Sequence, residues 1–313
     1  WKGLWTQMLL VPYDNTMWTR YEALPFSPGR RSYDMTVLFR EDSREGLLVG
    51  ATDFSVWKNA VTCSGSDANT WHAECGTADK GTHDFIPHGT MTGSSVASAE
   101  FCILYGEDYR RLLEWYGDIV SDDRKLTWNQ GVPFGFNSWA GLEFGLNENN
   151  FRESGKFLGN TLRPAGYENH GYNYVNLDHG WEDMKPETLR GFAQELHENG
   201  QKAGIYDAPF VCFEEDFDKE MPGIPGHQYK EILLKDWEGN LLTRLDGSYA
   251  LDVTHPMWKK QMAWKLEQFA AWGYDYLKMD FLSHGALEGC HYDPDIRTGR
   301  QAIAAGYQWI ADH

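Results

Sequence analysis

From Pro133 onward, apolar runs of strand length alternate with stretches of helical periodicity, and this alternation limits the fold more than any other feature of the chain. Pro133-Phe134-Gly135-Phe136-Asn137 predicts a strand, and Phe151, Leu158 and Leu162 fall on one stripe of the helix after it. Residues 172–177 predict the second strand. Pro186 then opens a helix with Leu189, Phe192, Ala193 and Leu196 facing inward, and Gly200 closes it. Residues 202–206 predict the third strand. A loop rich in Glu, Asp and Pro follows over 208–228, with a hairpin turn at Trp237-Glu238-Gly239-Asn240. The run Tyr249-Ala250-Leu251-Asp252-Val253 leads to a helix that starts at Pro256 and carries Trp258, Met262, Leu266 and Phe269 on one face. Residues 274–281 predict the fourth strand, and a last helix carries Ile303, Tyr307 and Ile310. Strands alternating with helices at these lengths call for parallel pairing through right-handed crossovers. The expected class for this part is α/β, a (β/α)8 TIM-barrel of which about the first four βα units are present.

Residues 1–105 read differently. Runs such as Met35-Thr36-Val37-Leu38-Phe39, Gly46-Leu47-Leu48-Val49-Gly50, Phe54-Ser55-Val56-Trp57 and Phe101-Cys102-Ile103-Leu104-Tyr105 are separated by Gly, Ser, Asp and Asn, the pattern of an antiparallel β-sandwich. Tyr109, Leu112, Leu113 and Tyr116 then mark an amphipathic helix, and the polar stretch Ser121-Asp122-Asp123-Arg124-Lys125 follows it. The chain of 313 residues is therefore expected to divide into a partial N-terminal β-sandwich domain with a linker helix, 1–122, and the N-terminal half of a catalytic barrel, 123–313.

In a parallel barrel the chemistry collects at the C-terminal ends of the strands and in the loops just after them. The first strand delivers Asn137, Ser138 and Trp139; the second, Asp178, His179, Gly180 and Trp181; the third, Tyr206 and Asp207; the fourth, Lys278 and Asp280. Lys278 and Asp280, two apart on one strand, share a face. A lysine and an aspartate so placed are most often a plain ion pair, and a single tryptophan is most often core. Carboxylates, a lysine and two tryptophans on one rim suit a sugar: the charged groups bond hydroxyls, and indole rings stack on the apolar face of a pyranose. An aromatic content of 15%, with 14 Trp, agrees with that. A net charge of -18 excludes nucleic acid and anionic membranes as partners. No run reaches the roughly 18 apolar residues of a transmembrane helix. No spacing indicates a metal or a cofactor. The five cysteines form no CxxC pair; Cys63 and Cys75 either bridge a surface hairpin in an oxidising compartment or stay reduced with the rest. The start at Trp1 reads as that of a mature or cut chain. Periplasmic or extracellular placement is preferred to cytoplasmic, and oligomeric state is left open.

The run Tyr174-Val175-Asn176-Leu177-Asp178-His179-Gly180-Trp181, then Lys202-Ala203-Gly204-Ile205-Tyr206, Leu251-Asp252-Val253-Thr254-His255-Pro256 and Tyr276-Leu277-Lys278-Met279-Asp280, resembles in order and spacing the retaining α-galactosidase (melibiase) clan of glycoside hydrolases. The resemblance covers about residues 130 to 285, and the preceding sandwich is placed like the N-terminal domain of the larger members. It implies a nucleophilic carboxylate at Asp280 that forms a glycosyl-enzyme, Lys278 and Asp178 holding sugar hydroxyls, and Trp139 shaping the sugar pocket. His179, Trp181, Tyr206 and Asp207 complete the substrate-binding candidates. Retaining hydrolysis needs a second carboxylate as acid/base, about 5 to 5.5 Å from the nucleophile, and a lysine beside the nucleophile favours its ionised form. Clan galactosidases usually carry two successive aspartates after the second strand, whereas the second position here is His179. Their acid/base aspartate lies on a later strand, expected beyond His313, so residues 1–313 alone are expected to be inactive and to self-associate through open sheet edges. The substrate class is an oligosaccharide or glycoside. The alternatives are an α-glycosidase of another sugar in the clan (N-acetylgalactosamine, arabinopyranose or glucose type), a non-catalytic carbohydrate-binding protein, and an aldolase with Lys278 as a Schiff-base lysine.

Overall fold

A computed structural model describes residues 5–13, 20–65, 70–121 and 131–313. The first strands are β1 (Gln7–Leu10), β2 (Glu22–Pro25), β3 (Arg31–Tyr33), β4 (Met35–Phe39), β5 (Gly46–Ala51), β6 (Asn59–Ser64), β7 (Thr70–Cys75) and β8 (Phe101–Gly106). They form two antiparallel sheets, ordered β2-β1-β4-β5-β8 and β3-β6-β7. Met8 and Leu38 of the larger sheet pack with Cys63 of the smaller one, while Val37, Phe39 and Leu48 take α1 (Tyr109–Ser121) through Leu112 and Tyr116. The helix is seated closely enough that a Cβ at Gly50 would meet the Tyr116 ring at 2.6 Å.

One detail departs from expectation, and a second bears on an alternative that the sequence leaves open. The run Phe54-Ser55-Val56-Trp57 is not a strand, because Asp53 Oδ1 accepts both the backbone N–H of Ser55 at 2.8 Å and its hydroxyl at 2.6 Å, which turns the chain there. Cys63 and Cys75 do lie on one hairpin, but the register sets Cys63 opposite Trp71 and Cys75 opposite Asn59. That places them roughly 13 Å apart along the strands, too far for a disulfide, and all five cysteines are free. The domain boundary expected at 122–123 lies outside the described residues.

The second part contains β9 (Gly135–Asn137), α2 (Ser138–Leu142), α3 (Glu148–Phe157), β10 (Tyr174–Leu177), α4 (Pro186–Glu198), β11 (Lys202–Asp207), β12 (Val211–Cys212), β13 (Tyr249–Ala250), α5 (Pro256–Trp272), β14 (Tyr276–Met279) and α6 (Gly299–Ala311). β9, β10, β11 and β14 form a four-stranded parallel sheet in that order. The strand period of two sorts the sheet's faces. Val175, Leu177, Ala203 and Ile205 are fully buried against Phe151, Leu189, Phe192 and Phe269 of the covering helices. The alternate residues, Asn176, Tyr206, Tyr276 and Lys278 among them, therefore share the opposite face. β12 and β13 form a separate two-stranded antiparallel ribbon.

The two parts interlock. Tyr13, Tyr33 and Ala60 belong to the same core as Phe210, Trp258, Met262 and Ile303. Arg300 of α6 donates from Nε to Phe54 O at 3.2 Å and reaches Asp34 at 3.3 Å. Deeper in the seam, Lys58 is wholly buried and ion-paired with Asp84; Glu288 Oε1 lies 3.7 Å from its ammonium, and the Glu288 N–H donates to Asp84 Oδ1 at 3.0 Å.

Candidate active site

The C-terminal ends of β10, β11 and β14 lie side by side, and their side chains meet there. Lys278 Nζ is 2.7 Å from Asp178 Oδ2 and 3.1 Å from Asp280 Oδ2, and it stands 5.2 Å above the centre of the Tyr206 ring. One ammonium thus bridges carboxylates that lie 100 residues apart in sequence on its Asp178 side and two apart on the other. The carboxylates differ in environment. The Asp178 side chain is 3% exposed and that of Asp280 is 42% exposed, so Asp280 is the one open to an incoming ligand.

Backbone bonds fix both aspartates. Asp280 N–H donates to Asp207 O at 3.0 Å, which carries the β11–β14 ladder past the end of the strand, and Asp280 Oδ1 accepts from Phe281 N at 2.9 Å. Phe281 has φ 53, a left-handed conformation that a bulky residue rarely adopts and that is held here by the packing of its ring on Phe213 at 5.0 Å. On the other side, Asp178 N–H donates to Ser138 Oγ at 2.9 Å, tying the end of β10 to the start of α2. Asn137 caps that helix by accepting from Trp139 N at 3.2 Å, so Trp139 stands in its first turn, edge-on to Phe144 at 4.9 Å and 6.3 Å from the His179 ring. His179 in turn lies 6.2 Å from Tyr206.

Burial alone would lower the Lys278 pKa, but the bonds to Asp178 and Asp280 outweigh it and raise the pKa above the ordinary value, so the side chain is a fixed cation. Burial, followed by the charges of Asp280 and Asp178, pushes the Tyr206 phenol far up, and it stays neutral. The arrangement offers hydroxyl groups a charged donor, two carboxylate acceptors and a neutral phenol. Among the described residues no group of three or more His, Cys, Asp or Glu is placed to hold a metal ion, and no helix is long and apolar enough to cross a membrane.

Of the residues proposed from the sequence, Asp178, His179, Tyr206, Lys278, Asp280 and Trp139 come together. Asp207 does not, and Trp181 lies beside them, packed with Tyr206 and Phe281. Asp207 follows Tyr206, so the strand period turns it to the helix side, where Lys265 of α5 holds it at 2.8 and 3.1 Å. Trp181 donates from Nε1 to Tyr206 O at 2.9 Å and packs on Phe269 and Trp272 at 5.4 and 6.0 Å, so its ring is part of the sheet–helix core. Reading residue parity along the strand would have excluded Asp207 from the rim. Ser138, placed at the first strand's end from the sequence, holds Asp178; one participant escaped the sequence reading, Glu182, whose Oε1 lies 3.1 Å from His179 Nδ1. A carboxylate three residues after a histidine was its available sign.

No family model matches the chain. Over 165 residues it is 26% identical to the α-galactosidase of Cyamopsis tetragonoloba, covering 48% of this chain and 30% of that enzyme. Over 162 residues it is 25% identical to the α-galactosidase of Coffea arabica, covering 47% of this chain and 32% of that one. The chain is thus similar to α-galactosidases over about half of its length. Their fold extends over nearly the whole chain: the α-galactosidase of Thermus thermophilus in complex with stachyose matches with a TM-score of 0.63 at 17% identity, covering 98% of this chain and 63% of that one. The GH36 α-galactosidase AgaA of Geobacillus stearothermophilus matches with a TM-score of 0.62 at 14% identity, covering 99% of this chain and 46% of that one. The match to the two plant α-galactosidases spans 30% and 32% of their length.

Proposed function

We propose that the chain carries the nucleophile side of a retaining α-glycosidase site, α-galactosidase-like in its substrate. The observation that supports this most is the Lys278 ammonium bridging Asp178 and Asp280 at neighbouring ends of parallel strands. In this reading Asp280 attacks the anomeric carbon; a carboxylate–carbon bond forms as the bond to the leaving oxygen breaks, and water later releases the sugar from the ester. Lys278 and Asp178 hold sugar hydroxyls, and Trp139 shapes the wall of the pocket. The leaving oxygen needs a proton donor. Asp207, the in-chain carboxylate nearest in sequence logic, is committed to Lys265, so the acid/base is assigned to the share of the relatives' length that this chain does not span. The same reading takes the four parallel strands as the first half of a (β/α)8 barrel behind an N-terminal sandwich.

A Schiff-base role for Lys278 is disfavoured by its surroundings, because an amine must lose its proton to attack a carbonyl and two carboxylates keep this one charged. In the enzyme that contains this chain, Lys278→Ala and Asp178→Asn are expected to lower kcat/KM on 4-nitrophenyl α-galactoside by roughly ten- to a few-hundredfold, since bonds to charged groups contribute about 1.5 to 3 kcal/mol each. Borohydride with a carbonyl substrate should trap nothing. Trapping on Lys278 would install the aldolase instead, and galactoside binding with the aryl galactoside left intact would make the protein a carbohydrate binder.

A further inference from the structure

Helix α5 buries Trp258, Met262 and Phe269 on one stripe, and Lys265 lies on that stripe, seven residues after Trp258 and four before Phe269. Burial alone would lower the pKa of such a lysine, but the charge of Asp207 and the bonds to it outweigh burial and raise the pKa above its ordinary value. The carboxylate is itself buried and gives both oxygens to the ammonium, at 2.8 and 3.1 Å. Among the described residues Lys265 bonds Asp207 alone. A buried ion pair is a poor source of stability, because desolvating both groups offsets much of their attraction. The place of this pair is informative instead. Asp207 ends β11 and lies opposite Met279 in the parallel register, and its main-chain oxygen accepts the Asp280 N–H at 3.0 Å. The same helix holds the chain just beyond, where Trp258 Nε1 donates to Pro209 O at 2.7 Å. One residue thus grips α5 with its side chain and Asp280 with its main chain.

Resting on the glycosidase reading above, we propose that Lys265 is a positioning residue for the nucleophile: by clamping Asp207 to α5 it fixes the carbonyl that holds the Asp280 N–H, and so sets where the Asp280 carboxylate stands when it attacks. Neither member of the pair exchanges a proton or touches the sugar. Without the clamp the end of β11 is free to shift, and a displacement on the order of 1 Å at a reacting atom can cost about a hundredfold in rate. The bonds of Lys278 to Asp178 and Asp280 do not pass through Lys265, so the loss should fall on kcat and spare KM.

The test uses the enzyme that contains this chain. Lys265→Met alone strands a buried carboxylate, so the double variant Lys265→Met/Asp207→Asn, neutral at both positions, carries the measurement. On 4-nitrophenyl α-galactoside it should lose roughly tenfold or more in kcat with KM within about twofold of the wild type, and Lys265→Arg, which can still pair, should keep most of the rate. In an Asp280→Ala background, where azide replaces the carboxylate, the same two substitutions should leave the azide-supported rate nearly unchanged, because no nucleophile is left to position. An equal loss in both backgrounds would make the pair a general support of the fold and overturn the proposal, as would a wild-type kcat in the double variant. Hydrogen exchange reads the clamp without a substrate. The Asp280 amide should exchange roughly tenfold faster in the double variant than in the wild type. An unchanged amide would overturn the clamp and leave the glycosidase reading standing. A wild type that hydrolyses no α-glycoside would overturn that reading, and the positioning role with it.

Discussion

Asp280→Ala should lower turnover of an aryl α-galactoside by roughly 10⁴-fold or more, the scale on which loss of a covalent nucleophile is felt. The substitution removes the most exposed of the three charged side chains and leaves the Lys278–Asp178 bond at 2.7 Å in place, so sugar binding should weaken far less than turnover. Azide is small enough to enter the vacated space. It should attack the anomeric carbon in place of the carboxylate and restore part of the rate, with a β-galactosyl azide as product. Near-normal hydrolysis by the variant would contradict the assignment. An equal loss in Asp178→Asn, rescued by azide, would transfer the nucleophile to Asp178.

Lys58→Ala should be the most destabilising change in the seam between sandwich and parallel sheet, costing about 3–5 kcal/mol, the range for removing one partner of a buried pair. Lys58 and Asp84 are both fully buried, and Glu288 is 1% exposed. Burial already pushes the Asp84 carboxyl upward against the opposing pull of Lys58 and Thr82. Without the ammonium, Asp84 would lose its cationic partner in the interior, and Glu288 would keep His88, whose Nδ1 lies 2.7 Å from its Oε1. The sign with pH follows from that upward shift. A carboxyl whose folded pKa exceeds its unfolded value favours folding at low pH and loses that contribution as pH rises through the folded pKa, so the deficit in Lys58→Ala should be largest near neutrality and shrink on acidification. Urea unfolding at two pH values measures this. A loss below about 1 kcal/mol at neutral pH would place the pair with ordinary surface bridges.

Strand–helix alternation made the parallel sheet legible because buried parallel strands are apolar and their helices carry unbroken stripes, and all four strands fall where the sequence puts them. The sandwich was less legible. β7, Thr70–Cys75, lies largely exposed and reads Thr-Trp-His-Ala-Glu-Cys, with no apolar run to announce it. The Phe54–Trp57 run has strand composition but is turned by the side chain of Asp53, a local bond that outweighs composition. At the strand ends, residue types singled out Asp178, Lys278 and Asp280, which the structure brings within ion-pair distance. Asp207 was misplaced because adjacency to a strand end says nothing about face, and the period of two does. The seam of Lys58, Asp84 and Glu288 joins residues more than 200 positions apart, and no local pattern marks such a pairing.

In the proposed mechanism Asp280 becomes covalently linked to the sugar. 5-Fluoro-α-galactosyl fluoride tests it directly: the ring fluorine destabilises the positively charged transition states, and fluoride leaves without needing a proton, so the ester can accumulate whatever the source of the general acid. After incubation and peptic digestion, mass spectrometry should find one fluorogalactosyl group, on the peptide that contains Asp280. A label on Asp178 or on any other residue, or a sugar released steadily with no labelled peptide and with inverted configuration, would contradict the account.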